Sequence, residues 1–146
     1  MLALKKQPQV SERLLRLLCE VQQREPLASA TCIIPVPLHA NRQAERGFNQ
    51  AEVIARGLAA LIKLPLDEAS VKRTTHSEKH RAGMDIVGRR QTVRNAFSVD
   101  RPRLIEGQRP LLIDDVYTTG ATVSACAEAL KSAGALDVFV LTIARA

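Results

Sequence analysis

Apolar and polar positions along this chain change period from block to block, and the blocks read in turn as helices and strands. Leu14, Leu17, Leu18 and Val21 recur at helical spacing, which predicts a helix over residues 11–24, broken at Pro26. The unbroken apolar run Cys32-Ile33-Ile34 then ends in Pro35-Val36-Pro37, and prolines at that place predict a buried strand leaving its sheet. Ala51, Ile54, Ala55, Leu58 and Ile62 form the stripe of a helix laid on a sheet, with Asn49 and Glu52 spaced as a capping box at its start. Beyond a linker at Pro65, short strands are predicted near 70–73 and 96–99, with a polar, Gly-containing stretch between them. A turn over 102–107 leads to a strand from Leu111. A helix on Val123, Cys126, Ala127 and Leu130 follows, stopped by Gly134, and a last strand covers 138–143. Strands alternating with helices imply an α/β fold: a mainly parallel sheet flanked by helices, binding its ligands beyond the carboxyl ends of the strands.

The richest chemistry lies in Leu111-Leu112-Ile113-Asp114-Asp115-Val116-Tyr117-Thr118-Thr119-Gly120-Ala121-Thr122. An apolar strand runs into two carboxylates, whose oxygens can accept hydrogen bonds from the vicinal hydroxyls of a ribose. The small residues Thr118, Thr119, Gly120, Ala121 and Thr122 then open a helix. Backbone N–H groups converge there on an anion favoured by the helix dipole, and the threonine hydroxyls add donors. A Walker loop would need Gly-Lys-Ser/Thr, and a dinucleotide fold a glycine triplet ahead of its acid; neither is present.

A second constellation follows the first strand: Pro35-Val36-Pro37-Leu38-His39, then Arg42, then Arg46-Gly47-Phe48-Asn49-Gln50-Ala51. Arg42 and Arg46 stand within reach of whatever that strand end binds. His39 suits either an anion contact or a turn cap. Tyr117 suits either a lid over a ribose or a filler of its own loop. His76 and His80, four apart, have no acid or cysteine to complete a metal-ligand set and read as loop histidines.

Composition narrows the partners. With 146 residues, 46% of them hydrophobic, the chain can bury the core of one domain. It has no twenty-residue apolar run and no signal-peptide pattern, so a cytoplasmic protein without membrane insertion is expected. Cys19, Cys32 and Cys126 are scattered singly, as a reducing compartment allows, and with no C-x-x-C a zinc site is not expected. Aromatics make up 3%, with no Trp, which argues against base-stacking platforms for single strands. The net charge of +6 resides in one window: from Lys72 to Arg109 there are ten basic residues against four acidic ones. Two uses stay open for this window, neutralising a diphosphate or meeting a nucleic-acid backbone.

These motifs resemble the phosphoribosyltransferase-related ComF/GntX family, associated with bacterial competence and DNA utilisation. The likeness covers about Cys32 to Arg145, and the R-G-F-N-Q run is its most family-specific piece. It implies a type I phosphoribosyltransferase, Rossmann-like fold in a single domain over 1–146, with a hood loop at about 74–95. It also implies a phosphoribosyl pyrophosphate (PRPP) site, with Asp114 and Asp115 on the ribose and Thr118, Thr119, Gly120, Ala121 and Thr122 on the 5-phosphate. Pro37, Leu38, His39, Arg42 and Arg46 would meet the pyrophosphate. Arg89 and Arg90 of the hood, with Asp114 and Asp115, would serve catalysis. Magnesium is the implied cofactor, carried by PRPP, with Asp114 and Asp115 as its candidate protein ligands. Type I enzymes acting on 6-oxopurines usually place an acid where Thr118 stands, so the resemblance disfavours that acceptor class. Many members also carry an N-terminal zinc ribbon that this sequence lacks, so it is either a naturally short member or a piece of a longer chain. The expected function is transfer of a 5-phosphoribosyl group to a nitrogen acceptor. The alternative is a non-catalytic PRPP- or nucleotide-binding module working with single-stranded DNA, an RNA-handling partner or competence proteins.

Overall fold

The runs Cys32-Ile33-Ile34 and Leu111-Leu112-Ile113 are apolar without alternation because the strands they form are covered on both faces. A computed structural model describes residues 9–38, 44–45, 47–74 and 96–146. Helix α1 (Glu12–Gln22) is capped by Ser11, whose hydroxyl accepts from the Leu14 N–H at 3.2 Å. A single 3-10 turn (Leu27–Ser29) leads into strand β1 (Cys32–Pro35), followed by helix α2 (Gln50–Ile62). Next come β2 (Val71–Arg73), β3 (Phe97–Val99), the one-turn helix α3 (Pro102–Ile105) and the long strand β4 (Pro110–Tyr117). Helix α4 (Ala121–Ser132) and strand β5 (Phe139–Arg145) complete the described chain.

The sheet is parallel, in the order β1-β4-β5, with Cys32 opposite Pro110 and Leu111 opposite Phe139. The expected linker at Pro65 turns out to extend this sheet. Ile33 donates to the Pro65 carbonyl at 2.8 Å and accepts from the Asp67 N–H at 2.9 Å, so residues 65–67 form a short parallel edge beside β1. Proline is tolerated there because an edge position needs no N–H on its outer side. β2 and β3 pair antiparallel as a separate ribbon, with Arg73 opposite Phe97. This ribbon lies at the two ends of the segment expected to form the hood; its body, residues 75–95, lies outside the described residues.

Two cores sandwich the sheet. On one face Ile33, Leu111 and Ile113 pack with Ile54, Ala55 and Leu58 of α2 and Leu18 of α1. On the other, Ile34 and Leu112 pack with Val123, Cys126 and Leu130 of α4, Phe97 of β3 and Ile105 of α3. Burying Ile105 completely is what folds the expected turn at 102–107 into a helical turn, with Pro102 in its first turn. Each such fully buried aliphatic stabilises the fold by about 1.5–3 kcal/mol relative to exposure. The stop at Gly134 forms as expected: its φ of +101° is left-handed, and the following Ala135 N–H closes back on the Leu130 carbonyl at 3.1 Å.

Candidate functional site

Strands β1 and β4 are neighbours, yet the helices that follow them lie on opposite faces of the sheet: α2 in the core with Leu111, α4 in the core with Leu112. Their outgoing chains therefore part at the carboxyl ends and leave a crevice there, the usual ligand position of an open α/β sheet. β1 stops at Pro35, opposite Ile113, whereas β4 runs four residues further and, among the described residues, pairs there with β5 alone up to Tyr117. The carboxylates thus sit within β4 rather than at its end, as the sequence had suggested. They stand at the carboxyl edge because β1 no longer covers them.

Successive strand residues project to opposite faces. Asp114 shares the face of Leu112, toward Cys126, and Asp115 that of Ile113, toward α2, so the two carboxyls approach the edge from its two sides. Burial is the main reason that the Asp114 carboxyl is pushed up to about 6. The Asp115 N–H, donating to Asp114 Oδ1 at 2.9 Å, opposes this, the Asp115 carboxyl adds to it, and the positive charge of Arg73 lowers it. Asp115 Oδ1 accepts from the Val116 N–H at 2.9 Å. Beneath Asp114, the Cys126 thiol is pushed up to about 12, first by burial and then by the Asp114 charge, which leaves it a packing group. Cys32 is likewise buried, its thiol pushed up to about 11.

The loop after β4 is built for close approach. Gly120 is the N-cap residue of α4, with φ +80°, a conformation L side chains avoid. A Cβ there would also collide with the Tyr117 hydroxyl and come within 2.8 Å of its ring. Tyr117 therefore fills its own loop. Gly120 offers no capping side chain and the first turn of α4 carries no acid, so no side-chain charge in that turn offsets the positive end of the helix. Thr119 Oγ1 accepts from the Ala121 N–H at 3.3 Å, while Thr118 and Thr119 are exposed and Thr122 half-buried.

At the exit of β1, the Val36 N–H donates to the Ile113 carbonyl at 2.9 Å, holding the start of the second constellation against β4. Half-buried Pro37 and Leu38 follow. His39, Arg42 and Arg46 lie outside the described residues, as do Arg89, Arg90, His76 and His80. Two neighbours of the site had no site role in the sequence reading, which gave Asn49 only as a helix cap. Asn49, 3% exposed, caps α2 through Oδ1 to the Ala51 N–H at 3.0 Å and donates from Nδ2 to the Val36 carbonyl at 3.1 Å, so it ties together both ends of the 37–48 segment. The capping box is only half made: Glu52 faces Arg56 at 3.7 Å. Arg73, its guanidinium 5.4 Å from the centre of the Phe97 ring, brings its charge to bear on Asp114 and Cys126 from the β2–β3 ribbon. A cross-strand register no sequence pattern reveals brings it there.

The phosphoribosyl transferase domain family matches residues 44–146. Competence protein F of Haemophilus influenzae is 37% identical over 115 residues, covering 78% of this chain and 50% of that protein. DNA utilization protein YhgH of Escherichia coli K12 is 32% identical over 114 residues, covering 77% and 48%. Competence protein ComFC of Bacillus subtilis is 34% identical over 119 residues, covering 77% and 44%. The chain thus spans about half the length of these relatives. Among solved structures, the glutamine PRPP amidotransferase of B. subtilis superposes with a TM-score of 0.61 at 22% identity, covering 88% of this chain and 25% of that one. The orotate phosphoribosyltransferase of Aeropyrum pernix does so with a TM-score of 0.54 at 24% identity, covering 91% and 58%. The crevice at the β1 and β4 ends is accordingly set in a type I phosphoribosyltransferase fold, and the chain belongs to the phosphoribosyl transferase domain family and, within it, to the ComF family.

Proposed function

We propose that this chain binds PRPP in the crevice over β1 and β4 and transfers its 5-phosphoribosyl group to a nitrogen acceptor, releasing pyrophosphate. One junction carries the proposal: the pair Asp114-Asp115 beyond the end of β1, a left-handed Gly120 and the acid-free first turn of α4 meet at a topological switch point. The 5-phosphate seats on the N–H groups of the Thr118 to Thr122 loop, and the carboxylates of Asp114 and Asp115 accept from the ribose hydroxyls. The diphosphate extends toward the exit of β1, and Pro37, Leu38, His39, Arg42 and Arg46, which follow that strand in the sequence, serve as its contacts. The bond from C1 to the diphosphate oxygen breaks with its electron pair leaving on oxygen. The nitrogen lone pair forms the new C1–N bond, and the nitrogen gives its proton to water. Arg89 and Arg90 meet the charge that grows on the diphosphate, a contact strongest in the transition state.

Magnesium fits this donor set. Asp114 and Asp115 offer hard carboxylate oxygens, the donors such an ion takes beside substrate phosphate oxygens. When bound, it would neutralise diphosphate charge. A second reading is favoured by the names of the relatives, competence and DNA utilization proteins: a PRPP- or nucleotide-binding module that works with a DNA- or RNA-handling partner. A screen of bases and amines for PRPP-dependent pyrophosphate release tests the proposal. Release with any one acceptor, lost on neutralising Arg89 and Arg90 together, supports transfer. PRPP binding with no release across the panel supports the module.

A further inference from the structure

Building on the phosphoribosyl site just described, we propose that the Tyr117 side chain is a further ligand of the 5-phosphate, its hydroxyl donating to a phosphate oxygen at the start of α4. An N-cap residue commonly turns a side-chain oxygen toward the free N–H groups of the first helical turn, and Gly120 has none to turn. The space in which such a side chain would begin holds the Tyr117 hydroxyl instead: a Cβ built on Gly120 would lie 2.4 Å from that oxygen. A polar tip from the end of β4 therefore stands at the N-cap, at the helix end that favours an anion.

The hydroxyl is both placed and unengaged. The backbone of Tyr117 is pinned at the strand end, where its carbonyl accepts from the Ala146 N–H at 2.9 Å. Its ring meets Gly120 at one contact and the Arg145 guanidinium at another, with the guanidinium carbon 5.8 Å from the ring centre. Held this way, the side chain gives up little freedom when a ligand arrives. Among the described residues the hydroxyl has no hydrogen-bond partner, although the residue is half-buried. A phenol can donate or accept, but toward a phosphate it donates, and a hydrogen bond to a charged acceptor is among the stronger kind. The cation over the ring draws electron density from it and makes the hydroxyl a better donor. Tyr117 thus fills the loop with its ring and reads the phosphate with its tip, so that the residue which demands a glycine at 120 also uses the space that the glycine leaves.

The chain contains one tyrosine and no tryptophan, so its near-ultraviolet absorption edge reports on this phenol alone. The test is a titration of the protein with ribose 5-phosphate, followed by calorimetry and by that absorption edge, beside Tyr117→Phe. The phenylalanine variant keeps the ring against Gly120 and Arg145 and removes only the hydroxyl. In the parent, the edge should move to longer wavelength as the hydroxyl donates, saturating with the same affinity as the heat. In Tyr117→Phe, affinity should fall on the order of tenfold, as for a lost bond to a charged group, with the melting temperature unchanged. Equal affinity in the two proteins, or a phenol edge that stays still while ribose 5-phosphate binds, would each overturn the role of Tyr117 and leave the phosphoribosyl site standing. Weaker binding by the variant with an unmoved edge in the parent would assign the loss to loop packing and overturn it as well. Failure of the parent protein to bind ribose 5-phosphate would remove that site and this inference together.

Discussion

At the scale of single residues, Asp114 is a group the fold holds at a disadvantage. Its pKa of about 6 lies above the ordinary carboxyl value of 3.8, chiefly through burial, so between those values the folded protein binds the proton more tightly than the unfolded chain does. Stability should therefore fall as pH rises from about 4 to about 6 and stay at the lower level above it. Thermal denaturation across that range should show this slope in the parent and lose it in Asp114→Asn, which at pH 7 should melt higher yet bind PRPP worse. A flat parent profile, or a variant less stable at pH 7, would contradict the burial account. Gly120 makes the second case. Gly120→Ala has to place a Cβ at φ +80° and against Tyr117, and should cost about 1–2 kcal/mol in denaturant melts along with most affinity for ribose 5-phosphate. Unchanged affinity would show that the loop amides do not seat the phosphate. The glycine was legible in the sequence as a loop opener. The ring that also demands it was not, because the fold of Tyr117 back onto its own loop leaves no periodic trace.

Elements supply the precision of the site, and Asn49 shows how. One buried amide caps α2 and holds the exit of β1, so Asn49→Ala should cost about 2–3 kcal/mol from the lost cap and the stranded Val36 carbonyl together. Asn49→Asp keeps the capping oxygen but turns an acceptor toward that carbonyl. In urea melts it should be no more stable than the alanine variant; full recovery would assign the whole effect to the cap. Ser70, fully buried, has a hydroxyl without a hydrogen-bond partner among the described residues, so Ser70→Ala should be neutral or stabilising by up to about 1 kcal/mol. A destabilised variant would reveal a partner. Helices and strands were legible wherever an apolar stripe had a clear period, as in α2 and α4. The full length of β4 was not, since Asp114 to Tyr117 is held as strand by pairing with β5, a contact far along the chain.

For the whole molecule, the order β1-β4-β5 does most to make a site, and it is the feature a linear pattern conceals: β1 and β4 become neighbours across more than seventy residues. Alternating strands and helices announced a parallel sheet, and the two motifs announced a ligand at its carboxyl edge. The switch point between them emerged only when the two helices took opposite faces. The central claim is that this crevice binds a phosphoribosyl group through the edge carboxylates. Calorimetric titration of the protein with Mg-PRPP, run beside Asp115→Ala, tests it most directly. Saturable binding by the parent, weakened by about 1.5–3 kcal/mol in a variant that remains folded, is the predicted result. No heat of binding in the parent, or equal affinity in the two proteins, would contradict it.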